Sequence, residues 1–378
     1  MSDAPATQPG SPLRVLGTAL YLACSWTWCI GMFLPLLLVR DFGLAGFWVF
    51  AIPNVLGAAA MGFVLTRREQ VDRIRSEHGP LLATFSVVTM LFQLYFAGAV
   101  LPREVAFVLP LVVCGGILLA TRYWMLCALA AVIWAASLAL LIVGAGDVEN
   151  RSSMVELFAK AAPGEGGLLL LAPAVVIGFL ACPYLDLTFL RARSSLPAAG
   201  ARGAFAIGFG FFFLVMILGT LTYASVGTLA IVLVFTHLAV QLAFTTLVHV
   251  GELHRRWQNI GRMAAVGAGL MIAVLAGIGL RSSTAIYAGF ELWEIGYRLF
   301  MSFYGLVFPA YVWLCMIPAG SAGEAIKRRR LGVWFAAIIV AAPFYWMGFI
   351  ERQEVWLVPG VAIVLLARLA IPGGTRFR

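Results

Sequence analysis

The chain has 378 residues, of which 62% are hydrophobic and only 11% are charged. A soluble domain needs charged side chains at about a quarter of its positions, so this composition excludes a soluble protein. It predicts an all-α polytopic membrane protein embedded in a lipid bilayer, because helices satisfy their own backbone hydrogen bonds there. The net charge of +9 does not predict a nucleic-acid partner, since the basic residues lie in short clusters between apolar segments.

A helix needs about 20 predominantly apolar residues to cross the hydrocarbon core of a bilayer. Twelve segments approach or exceed this length, and we number them as spans 1 to 12 in chain order. They are 15–38, 43–65, 80–100, 105–121, 123–145, 166–188, 204–225, 227–250, 262–280, 288–317, 331–350 and 354–371. The predicted organisation is one transmembrane domain over 15–371, with a disordered tail over 1–14 and a short tail over 372–378.

The connections between spans predict two further helices and the orientation of the chain. The charged loop 67–78 is predicted to form a short helix, and the amphipathic part of 146–165 is predicted to lie along the membrane surface. Cytoplasmic loops carry an excess of lysine and arginine. With a cytoplasmic N-terminus, 19 of the 26 basic residues lie in cytoplasmic segments and six in external ones. We therefore expect both termini in the cytoplasm and a location in the bacterial inner membrane.

Spans 1 and 6 each contain residues that interrupt a helix. Those of span 6 are Pro173, Gly178 and Pro183, and those of span 1 are Gly31 and Pro35. Proline removes a backbone donor, and glycine tolerates non-helical dihedral angles. In membrane transporters, a broken helix exposes backbone groups inside the protein, where they hold a substrate or an ion. The two interrupted spans therefore predict a transporter.

With interrupted spans in positions 1 and 6, the chain resembles the LeuT fold of the APC superfamily, and within it the sodium/solute symporter family. The likeness rests on the first two spans with their charged loop at 67–78, and on the DLTFLRAR segment at 186–193, where that family places a basic turn after a helix. The resemblance implies an inverted repeat of five plus five helices, over 15–145 and 166–317, followed by two extra helices over 331–371.

The resemblance also implies a function. It implies a secondary active transporter that moves a small solute by alternating access in symport with Na⁺ or H⁺, with no other cofactor. One alternative is a non-transporting membrane sensor or a structural subunit of a larger complex, whose protein partners the sequence does not name. An enzyme is not expected, because the sequence has no HExxH, GxSxG or Walker motif.

The candidate substrate-binding residues lie in or beside the interrupted spans, where aromatic rings and exposed carbonyl groups can form a pocket. They are Trp26, Trp28, Gly31, Asn54, Gly178, Cys182, Tyr184 and Asp186. Structural roles are the alternatives: the tryptophans pack in the bundle, and Asn54 bridges two helices. Asp186 alternatively lies at the cytoplasmic interface, where it pairs with Arg191 or caps a helix.

The candidate ion-binding residues are Thr245 and Thr246 in span 8. In the LeuT fold, paired hydroxyl groups on the eighth helix complete a sodium site with carbonyl groups of the first helix, and these threonines resemble that pair. The alternative is that both hydroxyls bond to carbonyl groups of their own helix. His237 in the same span is either a proton-coupling residue or a buried histidine bonded to a neighbour.

Two charged patterns remain. Glu294 and Arg298 in span 10 have the i,i+4 spacing of a helical ion pair and are predicted to form an external gate. His249, Glu252 and His254 form an HxxExH pattern, but His254 lies off the shared helix face and precedes two arginines. We therefore expect no metal site there.

Overall fold

The computed structural model describes residues 11–120, 122–146, 165–224, 228–317 and 323–371. Its helices are α1 (Pro12–Trp26), α2 (Cys29–Val64), α3 (Arg68–Glu77), α4 (Gly79–Val100), α5 (Arg103–Ala120), α6 (Tyr123–Gly146), α7 (Glu165–Ala181), α8 (Leu187–Ser195), α9 (Ala198–Ile207), α10 (Leu214–Gly219), α11 (Thr228–Trp257), α12 (Ile260–Arg281), α13 (Leu292–Tyr311), α14 (Glu324–Phe349) and α15 (Leu357–Leu366). A π-helical turn, Gly208–Phe213, joins α9 to α10, and a second, Val312–Met316, follows α13. Strands β1 (Ile286–Tyr287) and β2 (Phe290–Glu291) form an antiparallel hairpin before α13.

Nine helical segments of the described residues are long and apolar enough to cross a membrane, which agrees with an all-α polytopic membrane protein. Predicted spans 4 and 12 fall on shorter elements, because α5 has 18 residues and α15 has 10. Predicted spans 1 and 2 share the 36-residue α2, which counts as one of the nine. The short helix predicted in the loop 67–78 is present as α3, and α1 begins inside the predicted N-terminal tail. Residues 1–10, the tail 372–378 and the surface helix predicted within 146–165 lie outside the described residues.

Span 1 is broken at Thr27–Trp28, between α1 and α2, and the prediction that Gly31 and Pro35 interrupt it was wrong. The backbone of Trp28 is extended, whereas Pro35 lies inside the continuous first part of α2. A second irregularity lies within α2, at Gly43. Its φ of 66° is a left-handed value that glycine adopts without steric cost. Span 1 therefore consists of α1 and the part of α2 before Gly43, and span 2 is the rest of α2.

Span 6 is broken as predicted, between α7 and α8. A single 3₁₀ turn, Cys182–Leu185, follows α7, and Asp186 then has φ −80° and ψ 115° before α8 begins. Pro183 lies in the first turn of the 3₁₀ segment, where a backbone N–H would have no acceptor within that segment. Pro173 and Gly178, the other two predicted interruptions, remain inside α7, so the break lies on the C-terminal side of the apolar run.

Glycines allow several helix pairs to approach closely, because their lack of a side chain lets two backbones meet. Gly98 of α4 lies against the backbone of Val274 in α12, and Gly277 of α12 lies against Tyr95 in α4. Other closely packed pairs are α5 with α11, α1 with α6, α7 with α13, α2 with α7, α2 with α9, α4 with α11, α6 with α11, α13 with α14, α14 with α15, and α1 with both α9 and the turn 208–213.

The bundle has two ends that differ in charge. We call one the basic face. It holds α3, the start of α4 beside Arg256, and the start of α14 with Lys327 and Arg330. The other, the gate face, holds Arg40 and Glu294. The buried core between the two faces is almost entirely apolar, so its few polar side chains mark the places where function can be sought.

Candidate functional site

The two broken helices meet in the interior of the bundle. The hydroxyl of Thr188, directly after the break in span 6, lies 3.4 Å from the hydroxyl of Ser25, directly before the break in span 1. The rings of Trp26 and Phe189 pack with their centroids 4.9 Å apart. On α11, the Thr245 hydroxyl lies 3.3 Å from the carbonyl oxygen of Cys24. Spans 1, 6 and 8 therefore share one buried junction.

Asp186 supplies the carboxylate at this junction. It caps the N-terminus of α8, and its Oδ1 accepts hydrogen bonds from the amide and the hydroxyl of Thr188, both at 2.7 Å. Its Oδ2 has no hydrogen-bond partner among the described residues. Asp186 is fully buried, and its capping of α8 matches one of the structural roles considered as alternatives. A buried carboxylate oxygen without a hydrogen bond is costly, so this position is a candidate for function.

His249 faces the free oxygen of Asp186, and sequence analysis missed this residue as a site candidate. Its Nε2 lies 3.9 Å from Asp186 Oδ2, and its Nδ1 lies 3.2 Å from the hydroxyl of Ser86 on α4. The HxxExH pattern raised His249 only as a candidate metal ligand. The informative signal was the spacing of four residues between Thr245 and His249, which places both on one side of α11. Glu252 instead pairs with Arg191 at 3.2 Å.

Aromatic side chains surround the break in span 1. The ring of Trp28 packs edge-on against Tyr304 of α13, with centroids 5.2 Å apart. Trp26 donates its indole N–H to Asn54 Oδ1 at 2.6 Å, so Asn54 bridges the two parts of the fold that carry spans 1 and 2. Gly31 lies beside the carbonyl of Trp26, where an added Cβ would be 3.4 Å from that oxygen.

A narrow cavity, which we call the gate cavity, leads from these rings toward the gate face. Its volume is about 70 Å³, and at the junction it is lined by Trp26, Trp28, Gly178 and Cys182. At the gate face it is lined by charged residues, including Asp41 and Arg298. Four of the predicted substrate-binding residues thus line one cavity.

A second cavity, the basic-face cavity, approaches the same break from the other end of the bundle. Its volume is about 670 Å³, and it is lined by Ala181 and Tyr184 of span 6 together with His78 and Arg330. The 3₁₀ turn at Cys182–Leu185 lies between the two cavities, since Cys182 lines one and Tyr184 lines the other. Tyr184 therefore belongs to a different cavity from the other predicted substrate-binding residues.

The two candidate ion-binding threonines differ in their contacts. Thr245 donates to the Gln241 carbonyl at 2.8 Å and also reaches Cys24 O in the broken span. Thr246 donates to the Leu242 carbonyl of its own helix at 2.7 Å. Among the described residues, Thr245 therefore has a hydrogen bond to the broken span 1, whereas Thr246 has none.

An ion-pair network lies at the gate face. Arg298 Nε lies 3.0 Å from Glu294 Oε1, which gives the predicted i,i+4 pair. Two neighbours in α2 that the prediction did not include complete the network: Arg40 lies 2.7 Å from Glu294 and Asp41 lies 2.7 Å from Arg298. The guanidinium of Arg298 also lies 4.0 Å from the ring centre of Phe290. The network ties span 1 to span 10 above the gate cavity.

Comparisons of this chain with protein-family models, with curated proteins and with solved structures found no match. The functional argument therefore rests on the site itself.

Proposed function

We propose that this protein is a secondary active transporter of LeuT-like architecture, which moves a small solute by alternating access. The observation that carries the proposal is the meeting of two broken helices, with one cavity on each side of the break in span 6. Broken spans at mid-membrane are where secondary transporters bind substrate and coupling ion. The coupling ion is Na⁺ or H⁺, in symport with the solute.

The packing of the helices supports an inverted repeat of five plus five. If spans 1 to 5 are exchanged with spans 6 to 10, the observed pairs map onto observed pairs. Span 3 packs on span 9, and the exchanged pair, span 8 on span 4, is also observed. Span 1 packs on span 5, and correspondingly span 6 packs on span 10. Span 2 packs on span 6, and correspondingly span 7 packs on span 1. The pairs 2 with 7 and 3 with 8, also observed, map onto themselves. An internal repeat accounts for this exchange rule.

The proposed solute is small and has an apolar part. The inner end of the gate cavity is walled by Trp26, Trp28, Tyr297 and Tyr304, and aromatic walls with few polar groups are typical of small-molecule sites. A polar group of the solute would bind the backbone of the broken helices. The basic face is proposed to face the cytoplasm of a bacterial inner membrane, because lysine and arginine accumulate on that side.

The structure has the features of an inward-facing state under this proposal. The cavity on the basic face is the larger, and ion pairs among Arg40, Asp41, Glu294 and Arg298 lie at the outer end of the smaller gate cavity. Opening the gate cavity should then close the basic-face cavity. This reciprocity distinguishes a transporter from a sensor or a structural subunit, and it can be measured before the solute is known.

Single cysteines test the reciprocity after the six native cysteines have been replaced. Leu37→Cys lies in the gate cavity and Ala181→Cys in the basic-face cavity. Adding Glu294→Gln should raise the labelling rate of the first by a methanethiosulfonate reagent and lower that of the second. Ile260→Cys, exposed at the start of α12, is the control whose labelling should not change. Parallel changes at both cavities, or none, would contradict alternating access.

The solute is sought in proteoliposomes. A mixture of small amino acids, organic acids and amines is supplied outside vesicles that carry either a Na⁺ gradient or a pH gradient, and the vesicle contents are measured by mass spectrometry. Accumulation that needs one of the gradients supports the transporter and names its ion. Reciprocal labelling without ion-driven accumulation of any solute would favour the non-transporting alternative.

A further inference from the structure

One side of α11 carries a buried polar stripe that runs along about half of this helix. Its members are His237, Gln241, Thr245, His249 and Glu252. Steps of four, four, four and three residues keep them along one ridge of the helix. All five are buried, with 8% or less of each residue exposed, although most of the surrounding residues of α11 are apolar. None of them lines the gate cavity or the basic-face cavity.

Four of the five residues of the stripe contact a polar group of another helix, and His237 packs against an aromatic ring. Toward the gate face, the His237 ring lies 5.9 Å from the ring of Tyr223, and Gln241 Nε2 donates to the Ser137 hydroxyl at 3.0 Å. In the middle, Thr245 reaches Cys24 O. Toward the basic face, His249 lies between Asp186 and Ser86, and Glu252 pairs with Arg191. The stripe thus passes the junction of the broken helices halfway along its course.

Several buried polar atoms along this stripe have no hydrogen-bond partner among the described residues. They are the hydroxyl of Tyr223, both ring nitrogens of His237, Oε1 of Gln241 and Oδ2 of Asp186. An unsatisfied buried polar group costs about 1–3 kcal/mol, and native proteins satisfy nearly all such groups with protein or ordered water. These atoms lie on α11 or on elements that face it, so water that satisfied them would form one path along the stripe.

The chemistry of the path favours a proton over a metal cation. Its ring nitrogens, amide and hydroxyls both donate and accept protons, and histidine is the side chain suited to passing one on near neutral pH. Its end point is a carboxylate oxygen that faces an imidazole nitrogen at 3.9 Å. The other titratable or charged groups near this pair are Tyr21 and Tyr304 and, toward the basic face, Glu252 with Arg191; near His237 it is Tyr223.

We propose that the stripe of α11 is a proton path from the gate face to the Asp186–His249 pair, which is the proton-coupling site of the transporter. This inference rests on the proposed function and specifies its ion. A hydronium ion at the gate face passes its proton through water and His237 to Asp186 Oδ2, leaving water and a neutral carboxyl group shared with His249. Release toward the basic face passes Tyr21 and the Glu252–Arg191 pair.

The path is tested without solute, by recording charge movement in proteoliposomes on a solid-supported membrane after a jump from pH 8 to pH 6. The wild-type protein should give a transient current, because a proton moves part of the way across the membrane. Asp186→Asn should abolish it. His237→Phe should slow it by about tenfold or more, because a proton relay is lost. Thr236→Val is the control, since this exposed hydroxyl bonds to Val232 O of its own helix, and it should leave the current unchanged.

Size-exclusion chromatography and thermal unfolding check that each variant is folded. If Asp186→Asn is not folded, His249→Gln takes its place, and His249→Gln should reduce the current strongly. Absence of a wild-type current, or its survival in the variant of the Asp186–His249 pair, would overturn the coupling site. Equal rates in His237→Phe and Thr236→Val would overturn the path. Solute uptake driven by Na⁺ without a pH-jump current would keep the transporter and reject this inference. A current without uptake of any solute would keep the proton path but reject the transporter, and with it the coupling role of the Asp186–His249 pair.

Discussion

The indole nitrogen of Trp26 and the side-chain oxygen of Asn54 form a buried hydrogen bond of 2.6 Å. It holds the last residue of α1 against the middle of span 2, so the aromatic wall at the break is fixed by a residue 28 positions away. Neither side chain is more than 2% exposed. Without this bond, the indole N–H would be buried with no partner.

We expect Asn54→Leu to lower the free energy of unfolding by about 1–3 kcal/mol, because the N–H of Trp26 is left unsatisfied. Trp26→Phe should cost a similar amount, and the double variant should cost clearly less than the sum, since both partners are then removed. Thermal unfolding in detergent measures all three. Strict additivity would show that the hydrogen bond is not made.

The gate network predicts a large effect of removing its central acid. Glu294→Gln leaves Arg40 and Arg298 without their shared carboxylate, and breaking such a pair costs about 3 kcal/mol when it is largely buried. The carboxylate is 8% exposed, whereas Arg40 is 42% exposed, so we expect the lower end of the range for buried pairs. Exposed Glu291→Gln, just before the same helix, should stay within about 0.5 kcal/mol. Similar melting temperatures for the two variants would argue against a closed gate.

The contact of α4 with α12 predicts a contrast between two glycines of α12. A Cβ at position 277 would lie 2.1 Å from the Tyr95 carbonyl, whereas one at Gly279 would meet nothing within 4 Å. Gly277→Ala should therefore destabilise the protein by about 1–3 kcal/mol or more, because the helices must separate. Gly279→Ala should be neutral or stabilising by up to about 1 kcal/mol. Fluorescence-detected size exclusion after heating compares them, and equal effects would contradict the close packing.

His78 predicts a pH dependence from outside the spans. Burial lowers the pKa of its imidazole, opposed by Glu77 and reinforced by Arg330 and Lys327. The folded state therefore binds fewer protons at His78 than the unfolded state. His78 consequently lowers the free energy of unfolding as the pH falls through the ordinary histidine pKa of about 6.5. His78→Gln should flatten the loss of melting temperature between pH 7 and pH 5.

Exposed His254→Gln is the matched control for this measurement and should retain the wild-type pH profile. Gln at position 78 also keeps a side chain able to bond the Tyr311 hydroxyl, which lies 3.0 Å from His78 Nδ1. An unchanged profile in His78→Gln would show that other groups carry the acid sensitivity of the protein.

Composition was sufficient to predict an all-α membrane protein, and of the three residues predicted to interrupt span 6 only Pro183 lies at the break, whereas Pro173 and Gly178 lie inside α7. The break in span 1 was misplaced, because neighbouring spans can re-satisfy a backbone carbonyl freed by Pro35. Thr27 and Trp28, where the break lies, carry no such local signal. The side chain of Trp28 instead packs against α13, a contact that only the fold creates.

The interactions that assemble the site join residues distant in sequence, which is why pattern analysis missed half of each pair. Glu294 was predicted as part of a gate, but its partner Arg40 lies 254 positions earlier and was assigned to an external loop. Asp186 was a candidate, whereas His249 was considered only as a metal ligand. Helix periodicity indicates which residues share a side of one helix, but it does not identify the helix that faces them.

Gly43 determines how the two parts of α2 are joined. It joins the gate half of span 1 to span 2 at a single residue with positive φ, without a loop to absorb motion. Under the proposed function, a tilt of the segment that carries Arg40 and Asp41 would turn about this one residue. Loss of the ion pairs at the gate face would then change the angle between that segment and the one that carries Asn54, which bonds Trp26.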